Sequence, residues 1–494
     1  MTNLAALTFK HALTHEVAYG SLLLERRRAL HAGIVAASER LYADRLSEQA
    51  DRLAQHAFRG EVWDKAVTYG RQAGTRAFAR SAFREAVGCF EQALAALQHL
   101  PEHRETVEQA IDVRFDLRNA LQQLGDRGPI LDHLHHAETL AQALGDQQRL
   151  GRVLSYLTRH FWDIAGYDRA IAAGERALAI AAALGDVGLQ AVTQCFLGQI
   201  YHFLGDYGRA LDILRQNVAS LEGELCREHF GLPVPASVYS RTWLVASLAE
   251  LGAFAEGIAH GEEQVRITAS DAQPVSLVHP DFNLGRLALR QGDLPQAIAV
   301  LERGVGLCQI WDIVTWFPNM ASHLGYAYAL AGRIAEALPL LEQAEQRWAT
   351  RGGLGGYALH VGYVSEAYLL AGRMQEAVQL AGRALDLART HKERGHEAWA
   401  LRLLGEIAAR QDPPEVELAV HHYQQALALA EELGMRPLQA HCHRGRGMLY
   451  AMTGQREQAR TALSTAIAMY RAMEMTFWLP QTEAALAQQG HDRL

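Results

Sequence analysis

The chain has 494 residues, 49% of them hydrophobic but only 8% aromatic, with a net charge of −8 and a pI near 6.3. That length is too great for one compact core, and the acidic balance argues against a general nucleic-acid binder. No uninterrupted apolar run reaches membrane-spanning length, no signal peptide is visible, and Cys89, Cys195, Cys226, Cys308 and Cys442 are scattered without a C-x-x-C. The expectation is therefore reduced thiols in a cytoplasmic protein with no membrane partner.

Taken in chain order, residues 1–45 stand apart from the rest of the chain. They carry Phe9-x-His11-Ala12-Leu13, Val17-Ala18-Tyr19, Leu22-Leu23 and Leu30-His31. Arg26-Arg27-Arg28 is the one compact basic run and reads as a solvated helix face. Only three of the 47 basic residues are lysines (Lys10, Lys65 and Lys392), a bias that reads as genomic. From residue 46 onward apolar residues recur at spacings of three and four, which argues helix, and no alternating strand pattern appears. Between Gly223 and Tyr239 the segment Gly231-Leu232-Pro233-Val234-Pro235 must be non-helical. It is expected to be an inter-repeat loop separating an N-terminal lobe, 46–222, from a C-terminal lobe, 240–494. A single short helix is expected near Pro480 to Gln489.

The organising signal is a stride of 40 residues linking Gly252, Gly292, Gly332 and Gly372, each followed five residues later by Gly257, Ala297, Ala337 or Ala377. Leu324-Gly325-x-x-Tyr328, Gly332, Ala337, Leu341 and Ala344 form one full copy, and Leu197-Gly198-x-x-Tyr201, Gly205, Tyr207, Ala210 and Leu214 another. In residue type and spacing these copies resemble the tetratricopeptide pattern. Glycine ends the first helix of each pair in a left-handed turn, and alanine at the closest approach lets two helices pack tightly. The fold class expected is all-α, a right-handed tetratricopeptide-like solenoid of about ten long helix hairpins. Its units run about six residues beyond the common 34.

The N-terminal string resembles the end of the winged-helix region of bacterial signal-transduction ATPases, most closely those joined to class III adenylate/guanylate cyclase domains. Gly70-x-x-Ala73-Gly74-x-x-Ala77-x-x-Arg80-Ser81 and Lys392-Glu393-Arg394-Gly395-His396-x-Ala398-Trp399-Ala400-Leu401-Arg402-Leu403-Leu404-Gly405 resemble that family's repeat region. The resemblance implies that residues 1–45 are a truncated winged-helix segment and that the rest is a sensing or partner-binding arm. It also implies an upstream ATPase or cyclase module as partner. A severed segment is expected to leave residues 1–8 poorly ordered or covering a partner surface. No lysine follows a glycine, so the Gly-Lys-Ser/Thr of a phosphate-binding loop is missing. Neither ATPase nor cyclase chemistry is expected of this chain: no catalytic residues, no cofactor.

Other constellations carry little chemistry. His441-Cys442-His443 places two imidazoles about 200° apart on a helix, so they cannot share a metal. His133, His135 and His136 read as ordinary surface or groove histidines, and no metal site is expected. Gly353-Leu354-Gly355-Gly356-Tyr357-Ala358 has dinucleotide-like spacing but helical flanks, and reads as an inter-repeat loop. The cluster Trp311-Asp312-x-x-Thr315-Trp316-Phe317-Pro318 is read as a plug between two units or as a binding lip, with Pro318 opening a helix. The first helix of each pair is expected to line a concave groove for a protein, a peptide or a small effector. In that register the candidate contacts are Tyr156, Arg159, Trp162, Gln199, His202, Tyr239, Trp243, Asn283, Arg286, Arg290, Asn319, Tyr326, Tyr363, Glu366, Trp399, Arg402, Glu406, His441 and Arg444. Arginine beside aromatics is the composition of an interaction surface. The leading expectation is a non-catalytic arm of a cyclase/ATPase signalling system. Rival readings are a free-standing adaptor bridging two proteins, an enzyme on a helical scaffold, or the effector-binding arm of a maltose-regulator-type transcription regulator.

Overall fold

The computed structural model describes residues 19–80, 82–269, 273–351 and 355–489. Among these are twenty-three α-helices, two 3-10 turns and no strand. The N-terminal string from Phe9 to Ala18, the expectation for residues 1–8, and Ser81, Gly353 and Leu354 lie outside the described residues. No helix among the described residues is long and apolar enough to cross a membrane. The chain forms two compact units, residues 1–153 and 154–494.

The first unit holds α1 (Leu24–Leu41), a 3-10 turn (Ala43–Gln49), α2 (Ala50–Arg59), α3 (Trp63–Ala79), α4 (Phe83–Leu97), α5 (Arg104–Leu124) and α6 (Gly128–Leu144). Its helices α3 and α4 meet where Gly70 faces Ala93, whose Cβ would lie 3.2 Å from an added methyl, and where Gly74 lies under the Phe90 ring. Small residues at this crossing bring the two backbones together. The basic run on α1 is partly structural: Arg27 donates to the Leu22 carbonyl at 2.9 Å and lies over the Tyr19 ring. Helix α7 (Gln147–Asp163) contains the boundary between the units.

The second unit continues with α8 (Tyr167–Leu184), α9 (Val187–Leu204), α10 (Tyr207–Ser220), α11 (Ala236–Leu251), α12 (Phe254–Thr268), α13 (Pro274–Gln291), α14 (Leu294–Ile310) and α15 (Phe317–Leu330). It ends with α16 (Ile334–Arg351), α17 (Tyr357–Leu370), α18 (Met374–Thr390), α19 (Arg394–Ala409), α20 (Val416–Glu432), α21 (Arg436–Met452), α22 (Arg456–Ala472) and α23 (Leu479–Gln488). From α9 onward odd-numbered helices form an inner layer and even-numbered helices an outer one. Outer helices bury a single stripe, as α18 does with Ala377, Ala381, Ala384, Leu385 and Ala388. The central inner helices are covered on nearly every side, and α11 buries every residue from Ala236 to Glu250, whereas the last one, α23, buries only Thr482 and Ala485. The segment 223–239 starts with a 3-10 turn, Gly223–Arg227, and enters α11 at Ala236, and α10 packs on α11 across it within one unit.

The inner layer is covered because the second unit returns on itself. Five hairpins after α9 the chain lays α19 against it, and α21 lies against α11. The stride glycines thus have a second role. Gly252 and Gly292 turn the chain with φ of +77° and +91°, which L side chains adopt only at a cost. A Cβ on Gly292 would also lie 2.6 Å from the Trp478 ring, and one on Gly252 2.5 Å from Met473 Sδ. At the same seam Tyr167 Oη donates to Glu393 at 2.7 Å, the Gly356 amide donates to that carboxylate at 2.8 Å, and Lys392 pairs with Asp168 at 2.7 Å. The glycine-rich stretch read as a plain inter-repeat loop therefore ends in a buried seam contact, with Gly355 beside Trp162 and Gly356 beside Phe203.

Gly332 has the same backbone geometry as Gly292, with φ of +77° and nothing within reach of an added Cβ. Gly332→Ala should cost about 1–2 kcal/mol, the backbone penalty alone. Gly292→Ala should cost clearly more, because Trp478 must also move. Denaturant midpoints of the two variants check this; equal losses would mean that the contact between successive turns contributes nothing.

A charged pocket on the inner face of the second unit

All nineteen expected groove residues lie in the second unit and on inner-layer helices or α7. Eleven are buried: Trp162, Gln199, His202, Tyr239, Trp243, Asn283, Arg286, Arg290, Tyr326, Tyr363 and Arg402. Tyr156, Arg159, Asn319, Glu366, Trp399, Glu406, His441 and Arg444 are half-buried. Where the sequence led to the expectation of an open trough, the tight winding fills most of it with the trough's own side chains. Tyr239 donates to Gln199 at 2.6 Å and accepts from Arg159 at 2.8 Å, and Asn283 donates to Gln264 at 2.6 Å. The rings of Tyr326 and Tyr363 stack 4.2 Å apart.

At the centre sits Glu250, 2% exposed. Its carboxylate accepts from Arg290 at 3.0 Å, Arg286 at 3.3 Å and the Trp399 indole at 2.8 Å. Burial alone would push this carboxyl up; Arg290 and Arg286 outweigh it and hold the group below the usual carboxylate range. Arg286 also donates to His202 Nε2 at 3.1 Å, so that nitrogen is the acceptor and the proton resides on Nδ1, 3.0 Å from Ser247 Oγ. Ser247 in turn donates to the Trp243 carbonyl at 2.9 Å. Histidines recur through the inner layer: His279, His323, His360 and His441 are all held neutral by burial, His279 and His360 down to about 3.

Part of the inner face remains open. A pocket of about 170 Å³ is lined by Arg290, Tyr326, Glu366, Trp399, Arg402, Glu406, His441 and Arg444, together with Leu289, Leu330, Leu370, Arg410, Phe477, Trp478 and Gln481. Eight of the nineteen expected residues thus converge on one site. Glu366 accepts from Arg402 at 2.5 Å and from Tyr326 at 3.0 Å. Glu406 accepts from Arg410 at 2.7 Å and Tyr423 at 3.0 Å. Arg290 lies over the Trp399 ring at 4.0 Å, and the His441 ring meets the Trp478 edge at 4.5 Å.

Sequence reasoning passed over Glu250, Leu330, Leu370 and Arg410, though the signal was present. Counting back two residues from each stride glycine gives Glu250, Arg290, Leu330 and Leu370, and one more step of 40 gives Arg410. Equivalent positions also bond across the stride: Gln199 to Tyr239, Glu250 to Arg290, and Tyr326 to Glu366. The aromatic cluster at 311–318 divides in two. Trp316 packs on His279 and Phe282 and Phe317 is buried, whereas Trp311 is 57% exposed. Pro318 stands in the first turn of α15, as expected. Among the described residues no three histidine, cysteine or carboxylate groups are placed to hold a metal ion.

Four segments, 191–216, 278–303, 321–343 and 440–464, match the family model of the tetratricopeptide repeat. Each begins on an inner helix and runs into the outer helix after it. These are tetratricopeptide repeats. No curated protein sequence matches the chain. Among solved structures the chain is similar to a Rap protein complexed with competence and sporulation factor, at 13% identity and a TM-score of 0.54, covering 75% of this chain and 98% of that one. It is also similar to a signal transduction ATPase with numerous domains and a tetratricopeptide repeat sensor from Pyrococcus horikoshii, at 12% identity and a TM-score of 0.42, covering 78% of this chain and 55% of that one. A third is the Cut9–Hcn1 assembly, at 14% identity and a TM-score of 0.40, covering 92% of each chain. The tetratricopeptide-like solenoid expected from the stride is the fold of this protein.

Glu250→Ala leaves two buried guanidiniums without their anion and should destabilise the protein by about 3–5 kcal/mol, measured by chemical unfolding. Acid should also weaken the fold. His279 and His360 sit at about 3 when folded and near 6.5 when unfolded. Below pH 6.5 only the unfolded chain takes up protons, so stability present at pH 7 is lost as pH falls, by about 2 kcal/mol per histidine at pH 5. His360 Nδ1 is buried without a hydrogen-bond partner, so His360→Phe should flatten the pH dependence of unfolding; an unchanged slope would refute this source of acid sensitivity.

Proposed function

We propose that the chain is a non-catalytic scaffold that receives a protein, peptide or small effector in this pocket, as the sensing arm of a bacterial signalling system of the cyclase/ATPase type. The observation that carries the reading is the convergence on one open site of arginines, glutamates and aromatic rings from five inner helices and from the segment that enters α23. Two sets of side chains that a nucleophilic mechanism would use are engaged in packing. Cys195 is buried with its thiol pushed up to about 12, and the His202–Ser247 pair is tied to Arg286 and to a backbone carbonyl. A Rap protein of similar fold has been seen in complex with competence and sporulation factor, which supports a ligand-receiving role for the inner face. The signalling assignment draws on the sequence resemblance, which supplies the upstream ATPase or cyclase module as partner. No cofactor and no nucleic acid enter this reading.

Site-specific photo-crosslinking tests it. A crosslinker at Gln481, on the pocket rim, should trap a partner in host extract, while one at the exposed Arg460 on α22 should not. Mass spectrometry of the trapped protein should find a phosphate-binding-loop ATPase or a cyclase. A partner of another class would replace the signalling assignment with the adaptor reading, and equal trapping from both positions would overturn the pocket as the docking site.

A further inference from the structure

The pocket's charges do not balance. Four arginines, Arg290, Arg402, Arg410 and Arg444, line it against two glutamates, Glu366 and Glu406. Both glutamates are already engaged, by Arg402 and by Arg410. Arg290 shares the single anion Glu250 with Arg286, and Arg444 donates to the neutral Gln481 at 3.0 Å while sharing Glu406 at longer range with Arg410 and Arg402. Three N–H groups remain buried without a hydrogen-bond partner: Arg290 Nη2, Arg402 Nε and Arg444 Nε. Arg290 and Arg402 are 5% and 8% exposed. Unpartnered guanidinium N–H groups occur elsewhere among the described residues, as at Arg114 and Arg241; what distinguishes the pocket is that they coincide there with an excess of arginines over carboxylates.

The rest of the wall is apolar: Leu289, Leu330 and Leu370 with the Trp399, Phe477 and Trp478 rings. A volume of about 170 Å³ is close to that of cavities that hold a single benzene ring. The two glutamates in the same wall disfavour a dianion such as phosphate. We infer that this pocket takes one carboxylate on an amino-acid-sized group with an aromatic or branched apolar side chain, the carboxylate facing Arg290 and Arg444 and the side chain lying among the rings. A peptide's C-terminal residue and a free acid of the same shape share this chemistry. The inference rests on the pocket being the ligand site proposed above, and it names what the site reads.

The full chain should be titrated with N-acetyl-phenylalanine and N-acetyl-phenylalaninamide, and with tetra-alanyl-phenylalanine as the free acid and as the C-terminal amide. Heat and the fluorescence of Trp399 and Trp478 are the readouts. Each acid should bind at least about tenfold more tightly than its amide, as expected for a charge-assisted contact. Arg444→Gln should abolish that preference with an unchanged melting temperature, and Arg444→Lys should restore part of it. Peptide acid binding above acetyl-amino-acid binding assigns the site to a peptide C-terminus; equal binding assigns it to a free acid. Amides that bind as well as acids, or acids that give no signal, overturn the inference. A partner trapped at Gln481 but not displaced by saturating concentrations of either acid would overturn it while leaving the scaffold reading intact. Acid binding without any trapped partner would do the reverse.

Discussion

A buried carboxylate, Glu250, is the constraint on which the second unit depends. Winding the inner helices tightly enough for α19 to meet α9 takes the inner stripe of each hairpin out of water. Any charge on that stripe must then find a partner or be neutral. Glu250 pairs with both Arg290 and Arg286 from the next inner hairpin and accepts from Trp399 on α19, across the turn. One side chain thereby links neighbouring hairpins along the chain and opposite walls of the turn. The histidines meet the same constraint the other way, by staying unprotonated.

The seam has its own hub in Glu393, fully buried and accepting from Tyr167, the Gly356 amide and His396. The nearby Lys392–Asp168 pair is exposed on both sides and adds little by itself. Three donors on one buried carboxylate matter more than a surface pair, because the seam closes only if all three segments arrive together. The stride glycines serve that closure as well as the turns. Gly292 must admit Trp478, the same residue that walls the pocket.

The helices and their pairing were legible because a 40-residue stride with glycine and alanine at fixed offsets fixes both turn and crossing. The register of the inner face was legible too: the nineteen residues chosen from it all lie on the inner layer or α7. What the stride does not encode is pitch. Whether a solenoid is open or returns on itself depends on contacts between residues such as Gly205 and Gly395, or Tyr167 and Glu393, separated by about 190 to 226 positions. No local pattern announces these. Glu250 was half legible: the stride marks its position two residues before Gly252 and its partner Arg290 40 residues on, but not its contact with Trp399, 149 positions away. The pocket rim from Phe477 to Gln481 lies beyond the last repeat segment, 440–464, where the repeat no longer marks which face is inward.

The location of the pocket determines the direction in which a ligand would act. Its walls come from α13, α15, α17, α19, α21 and α23, helices that the seam and Glu250 hold together. In the closed turn the surplus positive charge lies in a desolvated wall, where an unbalanced guanidinium is least favourable; in an opened turn water would screen it. An anion in the pocket therefore stabilises the closed arrangement more than the open one. That difference, rather than the tightness of binding, is what moves a conformational equilibrium. The carboxylate inferred for Arg290 and Arg444 would, by this electrostatics, favour the arrangement in which Trp478 lies on Gly292.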